Sequence, residues 1–239
     1  MAGPRRLGMG GRLVVDLMMN ASPWRYCRWL VLAPHPDDET LGAGALIAQA
    51  SGTGHLAGVA YLTDGSASHD PGSVSPRRLA ARRKAEAAGA LFRLTGTRKT
   101  HHVHLDWKDA APFEAGEPQF NRAARLLAAF CRRWRVDAIA VTALAEPHCD
   151  HAAAAHLAQA VSAASKRSLM VAEYYVWASP PNRRAGQALR TSPMPIGKRR
   201  HALRAHRSQL TGACGSGFRL PKERLNMPSI DILHLQRRS

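Results

Sequence analysis

The segment "RWLVLAPHPDDETLGAGALIAQASGTG", residues 28–54, contains a complete β-α unit. Its first part, "RWLVLAP", is a short continuous apolar run, which is typical of a strand buried in a parallel sheet. The part that begins at Glu39 has small and apolar residues at helical spacing and ends in glycines. A histidine and three consecutive acids, the last of them Glu39, follow the strand, so the turn after a buried strand carries an unusual amount of charge.

The rest of the chain repeats the alternation of strand, loop and helix. We predict further strands in "HLAGVAYLTDG", "KTHHVHL", "DAIAVTAL" and "LMVAEYYVWA". We predict helices over residues 75–96, 122–134 and 152–165, the first of them ending at Gly96. This order predicts an α/β fold in which helices cover both faces of a mostly parallel sheet.

The domain organisation follows from length and composition. A chain of 239 residues fits one α/β domain. We expect residues 1–24 to form a flexible leader and residues 25–239 a single domain. Within that domain we expect a Pro- and Arg-rich connection near 179–197, followed by a helix over 198–210. The basic and apolar start could be taken for a secretion signal, but Asp16 interrupts its apolar part.

Cysteine usage and hydropathy indicate the compartment. The four cysteines are widely scattered and form no C-x-x-C pair: Cys27, Cys131, Cys149 and Cys214. This argues against a disulfide framework and against a thiolate zinc cluster, and it favours a reducing cytoplasm. No uninterrupted apolar run reaches the roughly 18 residues that a transmembrane helix needs.

The chain is strongly basic, with a formal net charge of +17. Such a surface attracts phosphates, nucleic acids and anionic membranes. The basic residues follow no zinc-finger, RNP or basic-zipper pattern, so specific nucleic-acid binding is not expected. Arginine greatly outnumbers lysine and alanine is abundant, which leaves a compositional bias of the source genome as a competing explanation.

The charged turn after the first predicted strand favours a metal. In open α/β sheets, ligands bind outside the carboxyl ends of the strands, which is where "HPDDE" lies. His35 beside Asp37, Asp38 and Glu39 concentrates more negative charge than a site without a cation would keep. Alternatively, these acids begin the next helix, where carboxylates are favourable. That alternative explains one or two acids but not the histidine and the third acid.

A second cluster follows another predicted strand. After "DAIAVTAL" comes "EPHCDHAAAAH", which places His148, Asp150 and His151 at a strand end. A catalytic metal commonly takes three protein ligands and keeps one position for water. The first cluster alone leaves a ligand missing, and the second supplies candidates for it.

Together, "APHPDDE" and "HCDH" resemble the motifs of the PIG-L/LmbE-like N-acetylglucosaminyl deacetylases, which are metal-dependent amidohydrolases. The resemblance runs from about residue 29 to residue 209 and includes "LTDG", "RKAEAAGAL" and "LDWKDA". It implies a Rossmann-like three-layer fold. It also implies a zinc-dependent N-deacetylase that removes the N-acetyl group from an N-acetylglucosamine-type sugar or glycoconjugate.

The resemblance also implies a role for each motif residue. It assigns the metal ligands as His35, Asp38 and His151, and the catalytic residues as Asp37 (general base), His148 (facing the reacting carbonyl) and Asp150 (orienting His148). It assigns substrate binding to Arg83 and Asp109. Asp106 remains the alternative to Asp109, and a surface ion pair with Glu86 remains the alternative for Arg83. Two imidazoles and a carboxylate suit Zn²⁺ and tolerate Fe²⁺.

Three features depart from the family pattern or fall outside it. Cys149 stands where the family commonly has proline, and we expect it to be a packed bystander. Ala110 stands where glycine is often found after the sugar-binding acid. His101, His102 and His104 are interpreted as structural or solvated, because no acid at suitable spacing completes a second metal site.

Two other functions remain open: hydrolysis of a non-sugar acylamide, and anion or nucleic-acid binding by a basic protein whose metal site is vestigial. Within the deacetylase interpretation, a phosphate or lipid linkage of the substrate is also open. Arginines from "RRLAARRKAE" and "NRRAG" would then steer the phosphate into the site.

Overall fold

The computed structural model describes residues 17–180 and 188–236, which form one sheet with helices on both faces. Its strands are β1 (Leu17–Met18), β2 (Trp29–Ala33), β3 (Leu56–Thr63), β4 (His102–Trp107), β5 (Ala138–Thr142), β6 (Met170–Tyr174), β7 (Ala188–Arg190) and β8 (Ile232–Leu235). Its α-helices are α1 (Asp38–Gly52), α2 (Pro76–Thr95), α3 (Pro118–Trp134), α4 (Cys149–Ala163), α5 (Lys198–Leu203) and α6 (Arg207–Leu210). Short 3₁₀ helices lie at Trp24–Tyr26, Gly212–Cys214 and Lys222–Leu225.

The predicted α/β fold with a mostly parallel sheet is confirmed. The strand order is β1-β7-β8-β6-β5-β2-β3-β4, and β8 runs antiparallel to both of its neighbours. All five residues of β2 and all five of β5 are buried, as expected for strands covered on both faces. The helix predicted over residues 75–96 is confirmed as α2, and it ends at Gly96, whose φ of 75° suits glycine.

Two hydrophobic cores lie on opposite faces of this sheet. Trp29 and Val31 of β2 pack on the side of α1, α2 and α5, whereas Leu30 and Leu32 pack on the side of α3 and α4. Alternating side chains of one strand therefore enter both cores, because successive strand residues point to opposite faces. The sheet is thereby held rigidly between two helical layers.

The order in which strands are added to the sheet reverses between β2 and β5. From β2 the chain adds β3 and β4 on one side, and it then returns to add β5 and β6 on the other side. Neighbouring parallel strands whose following loops diverge leave a crevice at their carboxyl ends. The turns after β2 and β5, which carry the two motifs, meet at this crevice.

Five predictions about element boundaries are wrong in part. Leu17 pairs with Leu189 of β7 and Met19 is buried, so residues 17–24 are not a flexible leader; residues 1–16 lie outside the described part. The predicted connection near 179–197 contains β7. Its residues 181–187 lie outside the described part of the chain. The helix predicted over 198–210 is divided into α5 and α6. The helices α3 and α4 begin before residues 122 and 152.

None of the described helices combines the length and the apolar content that crossing a lipid bilayer requires.

Candidate active site

The two motif turns bring three predicted metal ligands together. His35 lies between β2 and α1, Asp38 is the first residue of α1, and His151 lies in the first turn of α4. Single ligand atoms of these three residues lie within 4.8 Å of one another. Asp38 Oδ2 is 3.1 Å from His35 Nδ1 and 3.2 Å from His151 Nε2.

The residues at this position fit a divalent cation. His151 is fully buried, and its Nε2 forms no well-directed hydrogen bond although it faces the Asp38 carboxylate. Burial of the ring opposes protonation, but the charge of Asp38 outweighs it and raises the pKa of His151 to about 9. A site that attracts a proton this strongly also attracts a metal ion, and two imidazoles with one carboxylate are a common ligand set for one.

Asp37 stands in a strained turn beside these residues. Its φ of 146° lies in a region that residues other than glycine rarely adopt, so the surrounding contacts must hold it there. Its backbone N–H donates to Glu39 Oε2 at 2.8 Å. Burial, opposed by the nearby guanidinium of Arg83 and assisted by the charge of Asp38, raises the pKa of Asp37 to about 6. A carboxyl group in this range can both accept and return a proton.

Arg83 is buried and holds the turn that contains Asp37. It donates to Pro36 O at 2.8 Å and to Gly65 O at 3.0 Å, and its Nη2 lies 3.4 Å from Asp37 Oδ1. A Cβ at Gly65 would lie 2.6 Å from Arg83 Nη1, so only glycine fits there. The alternative pairing with Glu86 is wrong, because Glu86 accepts hydrogen bonds from Ser208 instead.

His148 and Asp150 lie at the start of α4, where His148 is half-buried and Asp150 is fully buried. The backbone N–H of Asp150 donates to His148 Nδ1 at 3.2 Å, which leaves the ring proton of neutral His148 on Nε2. Burial and the positive charge of His35 lower the pKa of His148, so the neutral ring is favoured. Asp150 Oδ2 lies 3.0 Å from His35 Nε2 but 3.8 Å from His148 Nδ1, so this carboxylate approaches His35 more closely.

Asp109, not Asp106, lies in the cavity. Asp109 is buried, with Oδ1 at 3.2 Å from His35 Nε2 and Oδ2 accepting the backbone N–H of Ala67. Asp106 is exposed and pairs with Lys84 on the surface. Ala110, with a φ of 60°, donates its backbone N–H to Asp150 Oδ2 at 2.9 Å. This left-handed conformation explains why glycine would suit the position.

Sequence reasoning gave no role to the buried carboxylate of Glu146 and missed the partner of Glu39. Glu146 accepts the backbone N–H groups of residues 176–178, and its Oε2 lies 3.2 Å from His151 Nδ1. Glu39 Oε1 lies 3.1 Å from His206 Nε2, although the two residues are far apart in sequence. Glu146 follows β5 within the same turn as His148, which was a usable signal, whereas no sequence pattern links Glu39 to His206.

A cavity of about 650 Å³ lies beside these residues, and Asp37, His148 and Asp109 line it. Trp177 and Phe218 form part of its wall, and the predicted second arginine segment, "NRRAG", lies outside the described residues. In the described part of the chain, both residue groups able to hold a metal include His35, which lines this cavity, and neither includes the histidines of β4. Cys149 is exposed, so the expectation of a packed thiol is wrong.

Comparison with known families identifies this arrangement. The sequence profile of PIG-L, described as GlcNAc-PI de-N-acetylase, matches residues 30–162, which is more than half of the chain. The chain belongs to the PIG-L family. The match begins within β2 and ends within α4, so it contains both motif turns of this PIG-L protein. No curated protein sequence matches the chain.

Solved structures share the fold of this PIG-L chain at low identity. An N,N'-diacetylchitobiose deacetylase from Pyrococcus horikoshii is 20% identical, with a TM-score of 0.60 over 87% of this chain and 83% of that one. The zinc-inhibited form of a teicoplanin deacetylase is 18% identical, with a TM-score of 0.61 over 89% and 100%. A 4-carboxy-2-hydroxymuconate hydratase from Pseudomonas putida is 15% identical, with a TM-score of 0.53 over 87% and 95%.

Proposed function

We propose that this PIG-L chain is a metal-dependent hydrolase that removes the N-acetyl group from an N-acetylglucosamine-type sugar or glycoconjugate. The observation that carries the proposal is the placement of Asp37, a buried carboxyl group with a raised pKa, directly beside the cluster of His35, Asp38 and His151. Amide hydrolysis needs an activated water and a proton for the leaving amine, and these residues are suited to supply both.

His35, Asp38 and His151 would hold the metal, and Zn²⁺ is the ion we propose, with Fe²⁺ as the alternative. When bound, such an ion polarises the carbonyl and lowers the pKa of water. Metal analysis of protein purified anaerobically from cells grown without added zinc tests the choice. Bound iron together with a loss of activity on replacement by zinc would contradict it. Zinc should be added only stoichiometrically, because excess zinc can inhibit, as in the teicoplanin deacetylase structure.

In the proposed reaction, Asp37 takes the proton of the attacking water. The Nε2–H group of neutral His148 donates a hydrogen bond to the carbonyl oxygen as negative charge develops there. Since the lowered pKa keeps His148 neutral, Asp37 is the better group to return the proton to the leaving amine. Arg83 keeps the Asp37 turn in its strained conformation through its bond to Pro36 O.

The sugar would bind in the cavity. The Asp109 carboxylate would accept a hydrogen bond from a sugar hydroxyl, and Arg83 would contact the substrate. The cavity volume of about 650 Å³ lies within the usual range for small-molecule sites and is compatible with a glycoconjugate as well as with a free sugar. A phosphate or lipid linkage fits the basic composition. Equal kcat/KM values for a neutral sugar and its phosphate-linked counterpart at low ionic strength would contradict such a linkage.

The first test replaces the proposed base. Asp37→Asn should reduce acetate release from N-acetylglucosamine conjugates by at least about 10²-fold, which is typical for the loss of a general base. Metal content should stay unchanged because Asp37 is not a proposed ligand. The exposed acid variant Asp106→Asn is the matched control and should retain activity.

The alternative candidates give different results in the same assay. The hydratase among the structural neighbours demonstrates that this fold also supports other chemistry. Metal-dependent hydrolysis of acylated amines without a sugar, but not of glycoconjugates, would favour a non-sugar amidohydrolase. An absence of metal-dependent hydrolysis in both panels would favour a basic binding protein with a vestigial metal site.

A further inference from the structure

Four arginines line one groove between α2 and residues 201–214: Arg82, Arg93, Arg204 and Arg207. The groove has a volume of about 540 Å³ and shares no lining residue with the catalytic cavity. Arg82, Arg204 and Arg207 are exposed, and Arg93 is half-buried. The groove is therefore a separate feature of the surface.

The arginines are distributed along the length of this groove. The two sides of the groove run antiparallel to each other. From one end to the other, the facing pairs are Arg82 and Cys214, Glu86 and Ser208, Gly89 and Ala205, and Arg93 and His201. Arg82 and Arg93 thus mark the two ends, and Arg204 and Arg207 lie between them. Eleven helical residues separate the ends, which corresponds to about 16 Å at 1.5 Å per residue.

The groove carries an excess of positive charge. Its one lining carboxylate, Glu86, accepts from Ser208 N at 2.9 Å and from Ser208 Oγ at 2.6 Å. Within residues 17–180 and 188–236, none of the four arginines forms an ion pair with a carboxylate; the described arginine and lysine ion pairs involve other residues. Four guanidinium groups thus share a groove with a single carboxylate, and an anion bound among them would relieve their repulsion.

The chemistry of the lining selects the kind of anion. The remaining lining residues are small, namely Ala85, Gly89, Ala205 and Ala213, and no aromatic side chain lines the groove. Single-stranded nucleic acids are usually held by aromatic rings on which the bases stack, and this groove offers none. Guanidinium groups bind phosphate oxygens through paired hydrogen bonds. We infer that the groove binds a chain of phosphate groups, either inorganic polyphosphate or the oligophosphate part of a nucleotide.

The test uses the metal-loaded full chain and isothermal titration calorimetry. The probes are inorganic phosphate, tripolyphosphate, longer linear polyphosphate and a nucleoside triphosphate. Affinity should rise with the length of the chain, because only a long anion reaches arginines spread over about 16 Å. The variant Arg204→Gln/Arg207→Gln should lower the affinity for the long anions at least about tenfold, since it removes charge-assisted hydrogen bonds.

The matched control is Arg122→Gln/Arg125→Gln on α3, which packs on the opposite face of the sheet. Both of its arginines are exposed, so it changes the net charge equally without touching the groove. Its affinity for the probes should stay within about twofold of that of the parent chain, because only local contacts are proposed to matter. Capture of the metal by polyphosphate would affect both variants alike and therefore does not imitate the expected difference.

Several outcomes would overturn the inference. Equal losses in the two variants would assign binding to diffuse charge, and an affinity independent of chain length would exclude an extended site. Binding of phosphatidylserine vesicles or of a single-stranded oligonucleotide that depends on Arg204 and Arg207, without such dependence for tripolyphosphate, would assign the groove to another ligand. Of the supporting outcomes, loss of affinity for linear polyphosphate but not for the nucleoside triphosphate indicates a free polyanion. Loss of affinity for both, with the nucleoside triphosphate binding more tightly than tripolyphosphate in the parent chain, indicates a nucleotide.

Discussion

At the residue scale, Glu146 connects the proposed metal ligand His151 to the chain that follows β6. Its carboxylate faces His151 Nδ1 and accepts hydrogen bonds from three consecutive backbone N–H groups. The His151 contact and these hydrogen bonds together hold the pKa of Glu146 below its usual range despite burial. A carboxylate beside the distal nitrogen of a metal-binding histidine fixes the orientation of the ring and increases its basicity. Glu146 is therefore proposed to position His151 for the metal.

Glu146→Gln should weaken metal binding by about 10- to 100-fold, the usual effect of losing such an outer carboxylate. The glutamine keeps an oxygen for the backbone N–H groups, so the fold should persist. Competition with a chelator of known affinity measures the change. Glu173→Gln, which alters a carboxylate that accepts from Leu144 N and Gln236, is the control. Equal metal affinities for Glu146→Gln and the parent chain would refute the positioning role.

At the element scale, β4 contains a histidine that is held in its neutral form. The ring of His104 stacks on Tyr61 with ring centroids 4.8 Å apart, and its Nδ1 is buried without a hydrogen bond. Burial, together with the positive charge of Lys84, lowers the pKa of His104 to about 4 against the opposing charge of Asp106. This result agrees with the structural role predicted for the histidine.

The depressed pKa makes stability depend on pH. The unfolded chain binds a proton at His104 below about pH 6.5, whereas the folded chain binds it only near pH 4, so stability falls as the pH decreases between these values. The variant His104→Phe keeps a ring stacked on Tyr61 but cannot bind the proton. Between pH 7 and pH 5, its free energy of unfolding should therefore fall by about 1 kcal/mol less than that of the parent chain, allowing for partial solvent screening.

Urea unfolding of the metal-free protein at both pH values measures this difference. His102→Gln, at an exposed position of the same strand, should show the pH dependence of the parent chain. The prediction is contradicted if His104→Phe and the parent chain lose stability equally on acidification.

At the scale of the whole molecule, a buried ion pair links elements that are distant in sequence. Asp231, just before β8, pairs with Arg199 of α5 and accepts the backbone N–H of Leu46 in α1 at 2.8 Å. Arg199 in turn donates to Leu41 O at 3.0 Å. The C-terminal strand and α5 are thereby joined to α1, the helix that begins with the proposed metal ligand Asp38.

Asp231→Ala should destabilise the protein by about 3–5 kcal/mol, because it leaves the charge of Arg199 buried without a partner. The matched surface variant is Arg167→Ala, which breaks the exposed pair with Asp137 and should cost at most about 1 kcal/mol. Denaturant unfolding of both variants measures the contrast. A similarly small loss for both would argue against this pair as a structural link.

The local features of this protein could be predicted from its sequence, because they depend on residues close together in the chain. The apolar run of β2, the alternation of strands and helices, and Gly96 as the end of α2 each follow from local spacing and backbone preference. The two motif turns could likewise be placed at strand ends. Their proximity in space then followed from the rule for parallel sheets, with the family resemblance supplying the roles.

The tertiary structure alone decided what depends on contacts between distant segments. No local pattern predicts that β8 enters the sheet antiparallel to β6 and β7, or that Leu17 and Met18 pair with β7. The break between α5 and α6 has the same origin: His206, between the two helices, is buried against Glu39 of α1. Burial of a polar side chain requires a partner, and a partner 167 residues away is visible only after the chain has folded.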